Sequence, residues 1–537
     1  MVRRLLLNRG ITTPEEAAAF LERRSPVDHD PFLLPGMAVA VERLLAAARR
    51  GETVGVFGDF DVDGVTATAI LTHALRSLGA RVIPYLPHRF TEGYGLNVDA
   101  LTTLHADGAS VVVTADCGIS SVDEIAHGSA LGLDVIVLDH HAVPAVLPAA
   151  YAAVNPKLAG SAYPHADLAG VGVAFKTVQA LFKAVGREAD AARYLDLAAI
   201  GTVADMVPLL GENRWLVAEG LRALRRTERP GLRALVEAAG LRAERLEADS
   251  IAYGLAPRLN AAGRLEHAQL AFDLLVTEDP EHAEALARRL DELNRERQRQ
   301  TQEAVELCNA LLAEEPDGAP LLMVGHPSLS AGIVGLVASR LAERFHRPAV
   351  VYEQGPETSR GSCRSIPKFD VAAALRACSD LLVRHGGHRQ AAGFTVANRD
   401  LPELKRRLTE IARQELADVE LTPAVEIDVE LPLHGLRGTE LRWLQRFAPC
   451  GTGNPEPSFL SEGVVVQEAA VVGNGGRHLR LAFRAGNVVW RAIAFGFGEE
   501  DVAPGDLLDI VYHVAADRRG HGLELRIQDL RRSHLAG

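Results

Sequence analysis

Four aliphatic runs, "TVGVFGD" from Thr53, "RVIPYLP" from Arg81, "SVVVTAD" from Ser110 and "DVIVLDHH" from Asp134, dictate most of what this chain can fold into. They recur about every 25–30 residues with helix-patterned segments such as "VTATAILTHALRSLG" between them, which is βαβ spacing. Residues 53–156 therefore predict a parallel sheet with helices on its faces, and near-continuous aliphatic runs fit strands buried on both sides. A fifth run, "AAYAAVNP", extends the sheet. In such a sheet every strand points its carboxyl end to the same edge, where ligands bind.

Those ends carry acids and histidines. The first reads "GDFDVDG", with Asp59, Asp61 and Asp63 at every second position before Gly64; the third ends in Asp116; the fourth ends in Asp139, His140 and His141. A further acid, Asp205 in "GTVADMVPL", closes a helical stretch and completes the cluster. Carboxylates gathered this closely repel one another and raise their own pKa values unless a positive charge sits among them. Two divalent cations would balance Asp61, Asp63, Asp116 and Asp205. Oxygen ligands with an imidazole or two suit Mn²⁺, then Mg²⁺, with zinc disfavoured by the lack of cysteine ligands. Two such ions about 3.5–4 Å apart serve phosphoryl displacement. We expect Asp116 and Asp205 to bridge, Asp61 and Asp63 each to favour one ion, and His140 to complete one shell. Asp139 is expected to orient the site from behind the ligands, and His141 to face the substrate phosphate or leaving oxygen.

At 537 residues the chain is too long for one core, and three or four domains are expected. Residues 160–275 read as mostly helical. Asp279 and Pro280 open a helix whose middle, "NRERQRQTQE", is polar on every face, as in a connector that crosses solvent. A smaller α/β unit follows Pro320, with helices expected near 371–385 and 402–416. From about 424 the pattern turns to two-residue alternation with Gly-rich turns, as in a small barrel or sandwich. The predicted fold class is thus multidomain α/β followed by a β-barrel. Its expected segments are 1–44 (helical), 45–275, 276–316 (connecting helix), 317–420 and 421–537. Five scattered cysteines read as reduced thiols in a cytoplasmic protein, and no apolar stretch predicts a membrane span. A net charge of −13 argues against indiscriminate nucleic-acid binding but leaves room for a local basic track.

Together "GDFDVDG", "TADCG", "VLDHH" and "GTVADMVPL" resemble the four ordered motifs of the DHH phosphoesterase superfamily. "SAGIVGLVASRL" at 330–341 and "GGHRQAAGF" at 386–394 resemble the DHH-associated domain, and the set with its β-rich tail resembles the single-strand-specific 5′→3′ DNA exonucleases of that superfamily. The resemblance covers about residues 45–535. It implies two lobes around a groove, an OB-fold tail, and Mn²⁺- or Mg²⁺-dependent cleavage of single-stranded DNA to mononucleotides in repair and recombination. It also implies metal ligation by Asp61, Asp63, Asp116, His140 and Asp205, with Asp59 and His141 supporting. Relatives such as manganese pyrophosphatases carry a histidine where this chain has Phe57, so Asp59 or water is left to fill that ligand position.

Arg89, in "LPHRFTEGYGL", and Ser362 with Arg364, two apart on a probable strand, are expected by the same resemblance to hold a 5′-terminal phosphate. On sequence alone Arg89 is equally a solvated charge. His388 is a further phosphate candidate, as are Arg258, Asn260 and Arg264 in "APRLNAAGRLE", which reads as loop-like. In the tail, Trp490, Phe495, Phe497, Arg480, Arg484 and Arg491 combine aromatic and guanidinium groups suited to unpaired bases, although alternation sends many of the aromatics into the core. The resemblance further implies a monomer working with a helicase and a single-strand-binding protein. The competing readings are a phosphodiesterase or pyrophosphatase acting on small phosphates or short oligonucleotides, and a DNA-binding scaffold without catalysis.

Overall fold

The computed structural model describes residues 1–22, 28–314, 318–436, 442–473, 475–486, 488–516 and 523–533. Its first sheet contains β1 (Thr53–Gly58), β2 (Arg81–Tyr85), β3 (Ala109–Ala115), β4 (Asp134–Leu138) and β5 (Ala152–Val154), in the order β2-β1-β3-β4-β5. Every pairing is parallel. Val54, Val56, Val111 and Val113 share one core with helices Met37–Arg50, Val62–Ser77 and Gly170–Ala184. Phe57, Val112 and Val137 enter the opposite core with helices Val98–Ala106 and Val122–Ala130. Alternate residues of a strand thus feed two cores, as a period of two requires. The order reverses between β1 and β3, which makes their carboxyl ends the switch-point crevice of the sheet.

The connector is the helix Pro280–Leu312, 33 residues long with Asp279 accepting the Glu281 amide at its start; at 1.5 Å per residue it spans about 50 Å. Ala283, Leu286, Leu290 and Leu293 pack into the first core, Ala304, Val305 and Cys308 into a separate one beyond. Between Asn294 and Thr301 this helix buries nothing, so its polar middle lies between the lobes. The expected boundary at 316/317 lies outside the described residues.

The second sheet has β6 (Leu322–His326), β7 (Ala349–Gln354), β8 (Thr358–Arg364), β9 (Leu382–His388) and β10 (Ala391–Ala397), ordered β6-β7-β8-β10-β9. Only β6 and β7 run parallel. The helix expected over 371–385 ends at Arg376, a short 3-10 turn follows at Ser379–Leu381, and β9 takes over from Leu382. Gly386 and Gly387 weaken helix there, and pairing with β10 supplies the backbone hydrogen bonds instead. A second correction concerns "APRLNAAGRLE": residues Ala256–Leu265 are helical, not a loop. Pro257 sits in the first turn, where its missing N–H is not needed. Gly263 is required by packing, since a Cβ there would lie 2.6 Å from the Phe60 carbonyl oxygen.

The tail contains β11 (Val429–Glu430), β12 (Phe459–Val472), β13 (His478–Ala485), β14 (Val488–Phe495), β15 (Leu507–Ala516) and β16 (Leu523–Arg532). Their order is β11-β12-β13-β14-β16-β15, and pairing of β12 with β15 closes the last five into a barrel. Leu5 and Leu6 of the first helix, Val2–Asn8, join Phe447, Phe459 and Phe483 in the barrel core. Residues 1–44 therefore divide between two cores, and position 44 falls inside the helix Met37–Arg50.

Candidate metal centre and phosphate site

The carboxyl edge of the first sheet is built from tight local contacts. Asp61 caps the helix Val62–Ser77 by accepting the Gly64 amide at 3.1 Å. Gly64 admits no side chain, because a Cβ would come within 2.5 Å of the Asp59 nitrogen. Asp63, in the first turn, accepts the Gly170 and Val171 amides, each at 2.7 Å, from the free N–H groups that begin the helix Gly170–Ala184. Asp116 follows β3 with φ +67°, a left-handed backbone that non-glycine residues hold only when their surroundings enforce it.

These pieces converge. His140 Nε2 lies 3.1 Å from Asp116 Oδ1, 3.7 Å from Asp205 Oδ2 and 3.9 Å from Asp63 Oδ2. Three sets of ligand atoms fall within 4.8 Å of one another: Asp59, Asp61 and Asp116; Asp63, His140 and Asp205; Asp116, His140 and His141. Asp116 belongs to two of the sets, as a bridging ligand would; Asp205 belongs to one. Buried Asp59 Oδ1, Asp116 Oδ1, His140 Nε2 and Asp205 Oδ2 have no hydrogen-bond partner within the protein. Uncompensated buried polar atoms are costly, and four facing one space call for cations.

The electrostatics agree. Burial, reinforced by neighbouring carboxylates, pushes Asp59 up to about 8, Asp63 to about 7 and Asp205 to about 9, and drives Asp116 well above the carboxylate range. Burial holds His140 down at about 3, which keeps its ring neutral and its lone pair available. Asp139 differs: burial would raise it, but hydrogen bonds from His141 and from backbone amides outweigh that and lower it. Its Oδ1 accepts His140 N at 2.7 Å and lies 2.7 Å from His141 Nδ1, and its Oδ2 accepts Ile119 N at 2.9 Å. Both oxygens are thus committed to orienting the pair. His141 is raised in return, Asp139 more than offsetting its burial.

Phe57 is buried on the opposite core, stacked on Tyr85 with ring centroids 5.6 Å apart. The structure instead brings Asp59 beside Asp61 and Asp116.

A second group lies beside the acids. Arg89 covers the Phe60 ring at 3.8 Å and donates to the Gly263 carbonyl. Arg264, donating to the Gly332 carbonyl, is pushed down to about 9 by burial and then by Arg89, Arg297 and Arg364. Arg364 donates to Ser362 Oγ at 2.8 Å, the shared strand face expected of them. Arg89, Arg264 and Arg364 thus donate hydrogen bonds only to neutral oxygens, with Asp59 and Asp61 acting on Arg89 and Asp61 on Arg264 from further off, and their remaining donors suit an anion. Arg258 is placed elsewhere: it pairs with Asp291 of the connector at 2.9 Å. Asn260 lies on the same helix with its buried Oδ1 unpartnered. His388, at the end of β9, stacks on His141 with centroids 6.0 Å apart, so the second lobe reaches the acids.

Sequence reasoning missed three neighbours. Tyr94 Oη lies 3.1 Å from His141 Nε2, Lys157 Nζ donates to the His140 carbonyl at 2.7 Å, and Arg297 adds to the guanidinium cluster. Lys157, just past the end of β5, stood where a sheet edge gathers ligands and was legible; Arg297, inside the connector's polar run, was not.

The DHH family N-terminal domain matches residues 53–202, the DHHA1 domain 318–418 and the RecJ OB domain 427–529. The chain is 38% identical over 515 residues to the single-stranded-DNA-specific exonuclease RecJ of Bacillus subtilis (strain 168), covering 95% of this chain and 65% of that protein. The structure of RecJ from Thermus thermophilus in complex with Mn²⁺ superposes with a TM-score of 0.84 at 33% identity, over 99% of this chain and 76% of that one. Its complex with Mg²⁺ gives a TM-score of 0.79 at the same identity, over 99% and 74%. With its catalytic-type sheet, second lobe and barrel all matched in one order, the chain belongs to the RecJ family.

Proposed function

We propose that this chain is a metal-dependent exonuclease that degrades single-stranded DNA 5′→3′ to mononucleotides, in repair and recombination. The observation that carries the reading is the set of unpartnered buried ligand atoms on Asp59, Asp116, His140 and Asp205, set beside guanidinium groups whose hydrogen bonds go only to neutral oxygens. Asp59, Asp61, Asp63, Asp116, His140 and Asp205 would hold two divalent cations. When bound, Mn²⁺ or Mg²⁺ supplies Lewis-acid stabilisation of the phosphate and acidifies the attacking water. Asp139 fixes His141 through Nδ1, which directs Nε2, shared with Tyr94, to deliver a proton to the leaving oxygen. Arg89, Arg264, Ser362 and Arg364 bind the terminal 5′-phosphate, His388 closes over it from the second lobe, and Arg258 with Asn260 supports that wall.

The test uses Mn²⁺ and a single-stranded oligonucleotide labelled at either end, with a 5′-phosphate or 5′-hydroxyl, beside its duplex. Mononucleotides released first from the 5′ end of the single strand, faster with a 5′-phosphate, are the expected products. Hydrolysis of pyrophosphate with the long strand intact, or strand binding without turnover, would refute the reading.

The barrel receives the incoming strand. Arg480 and Arg484 on β13 and Arg491 and Phe495 on β14 are exposed, and His478 sits opposite Phe495 in the register, while Trp490 is core. Changing all three arginines to glutamine is expected to weaken binding of long single strands. It should also reduce the slope of log K against log salt by about 2, since each phosphate neutralised on a single strand accounts for about 0.7 of that slope. Titrations at several salt concentrations check it. Action as a monomer, partnership with a helicase and a single-strand-binding protein, and a cytoplasmic location belong to the same reading; all five cysteines are free thiols. Among the described residues no helix is long and apolar enough to cross a membrane.

A further inference from the structure

The turn that carries Asp205 is held from outside its own domain. Asp205 ends the helix Leu195–Ala204, and Met206 follows it with φ +62°, a conformation that costs a methionine free energy and needs external support. The next residues run to the helix Gly211–Leu224. On the domain side, Asn213 Nδ2 donates to the Pro208 carbonyl at 3.1 Å. On the other side the support comes from the segment that leads into the barrel. The Leu209 amide donates to the Thr452 carbonyl at 2.7 Å. A Cβ on Gly451 would lie 2.7 Å from Leu209 Cδ1, and one on Gly453, itself at φ +72°, 3.0 Å from Pro208 Cβ.

That segment is itself anchored by one buried side chain. Arg214, 5% exposed, donates to the Phe447 carbonyl at 2.7 Å, the Pro449 carbonyl at 2.9 Å and the Arg446 carbonyl at 2.8 Å. Its guanidinium also lies over the Phe20 ring at 4.0 Å. Asn454 Nδ2 donates to the same Phe447 and Pro449 carbonyls at 2.9 and 2.8 Å, and Arg9 Nε donates to Asn454 Oδ1 at 3.0 Å. Few groups other than a guanidinium can satisfy so many carbonyls at once, so lysine cannot replace it.

We infer that Arg214 is a positioning residue for metal binding: it locks the 446–454 segment against the 206–210 turn and so fixes Asp205 toward His140 and Asp63. The barrel's lead-in segment therefore backs the turn that carries one ligand of the metal centre, in addition to any contact the barrel makes with DNA. The effect falls on one ion. The Asp63, His140 and Asp205 set depends on this support through Asp205, whereas Asp59, Asp61 and Asp116 hang from β1 and β3 and do not. This rests on the metal-dependent reading above.

The test uses the full chain without DNA. Mn²⁺ binding to the wild type, Arg214→Lys and Gly453→Ala is measured by calorimetry, with circular dichroism confirming the fold. Gly453→Ala disturbs the contact from the barrel side, where a side chain at positive φ is strained. The expected result is two ions in the wild type and, in each variant, one ion weakened about tenfold while the other is unchanged. Single-strand affinity measured without metal stays within about twofold. In turnover assays the Mn²⁺ requirement rises about tenfold, and saturating Mn²⁺ restores kcat. A chain that is merely destabilised would lose kcat at every Mn²⁺ concentration. Unaltered Mn²⁺ isotherms in a folded variant, or equal loss at both ions, would overturn the inference. A wild type that binds no Mn²⁺ would instead overturn the metal reading itself. If Arg214→Lys does not fold, Gly453→Ala decides.

Discussion

Asp116→Asn is expected to lower the rate of nucleotide release from single-stranded DNA by about 10³-fold or more at saturating substrate, with the fold intact. Asp116 is shared between two of the three ligand sets, so its loss affects both cation positions. Charge stabilisation by bound metal is worth several kcal/mol, and each 1.36 kcal/mol is a factor of ten in rate. The fold survives for a separate reason. Asp116 lies 3% exposed among Asp59, Asp61, Asp63 and Asp205, and burial with repulsion from these acids raises its pKa. A neutral side chain of the same shape removes that repulsion, so the metal-free variant melts no lower than the metal-free wild type. Turnover, calorimetric Mn²⁺ stoichiometry and thermal melts on one preparation separate the two effects. Wild-type turnover in the purified variant would remove Asp116 from the metal centre.

The first sheet was legible because two periods coincide in it: a repeat near 25–30 residues that sets topology, and unbroken aliphatic runs that set burial. The acids were legible because topology alone brings strand ends together, whatever the side chains do afterwards. Asp63 shows where that reasoning stops. Asp139 spends its oxygens on His141 and backbone amides in the orienting role expected of it, but Asp63 also spends part of its capacity on the Gly170 and Val171 amides. The partners of Asp63 lie more than 100 residues away, and no local pattern announces them. The pairing of Arg258 was hidden for the same reason, since its partner Asp291 belongs to the connector. Residues 382–385 were misread because Leu381 and Leu382 continue a helical period that tertiary pairing with β10 overrides. Tyr94 acquires its role only once the loop after β2 meets His141 at the end of β4, and Arg297 only once the connector is laid against Arg264.

Removing both divalent ions is expected to lower the melting temperature of the wild type by about 10–20 °C near neutral pH, by more as pH rises. Mn²⁺ at about 100 times its Kd stabilises by about 2.7 kcal/mol per site. For a unit of about 150–250 residues, each kcal/mol moves Tm by about 2–4 °C. The pH dependence follows from the sign of the shifts. Asp59, Asp63 and Asp205 titrate near 8, 7 and 9 in the folded metal-free protein, above the ordinary carboxylate value. From about pH 5 up to about pH 7 for Asp63, 8 for Asp59 and 9 for Asp205, these groups are ionised when unfolded but still hold protons when folded. The folded state thus binds more protons, and its stability falls as pH rises through that window. His141, raised by Asp139, adds loss in the same direction. His140, held near 3 when folded, adds little above about pH 7.5, where its ring is neutral in both states. Bound Mn²⁺ replaces those protons, so the loaded protein does not share the decline and binding itself strengthens as protons leave. Melting curves at half-unit steps from about pH 6.5 to 9, with Mn²⁺ or with chelator, should therefore diverge steadily. In Asp116→Asn the divergence should shrink, because the asparagine offers Mn²⁺ no negative charge. Parallel or converging curves in the wild type would mean that these carboxyls are not held together against their own repulsion, and the metal centre would have to be sought elsewhere in the chain.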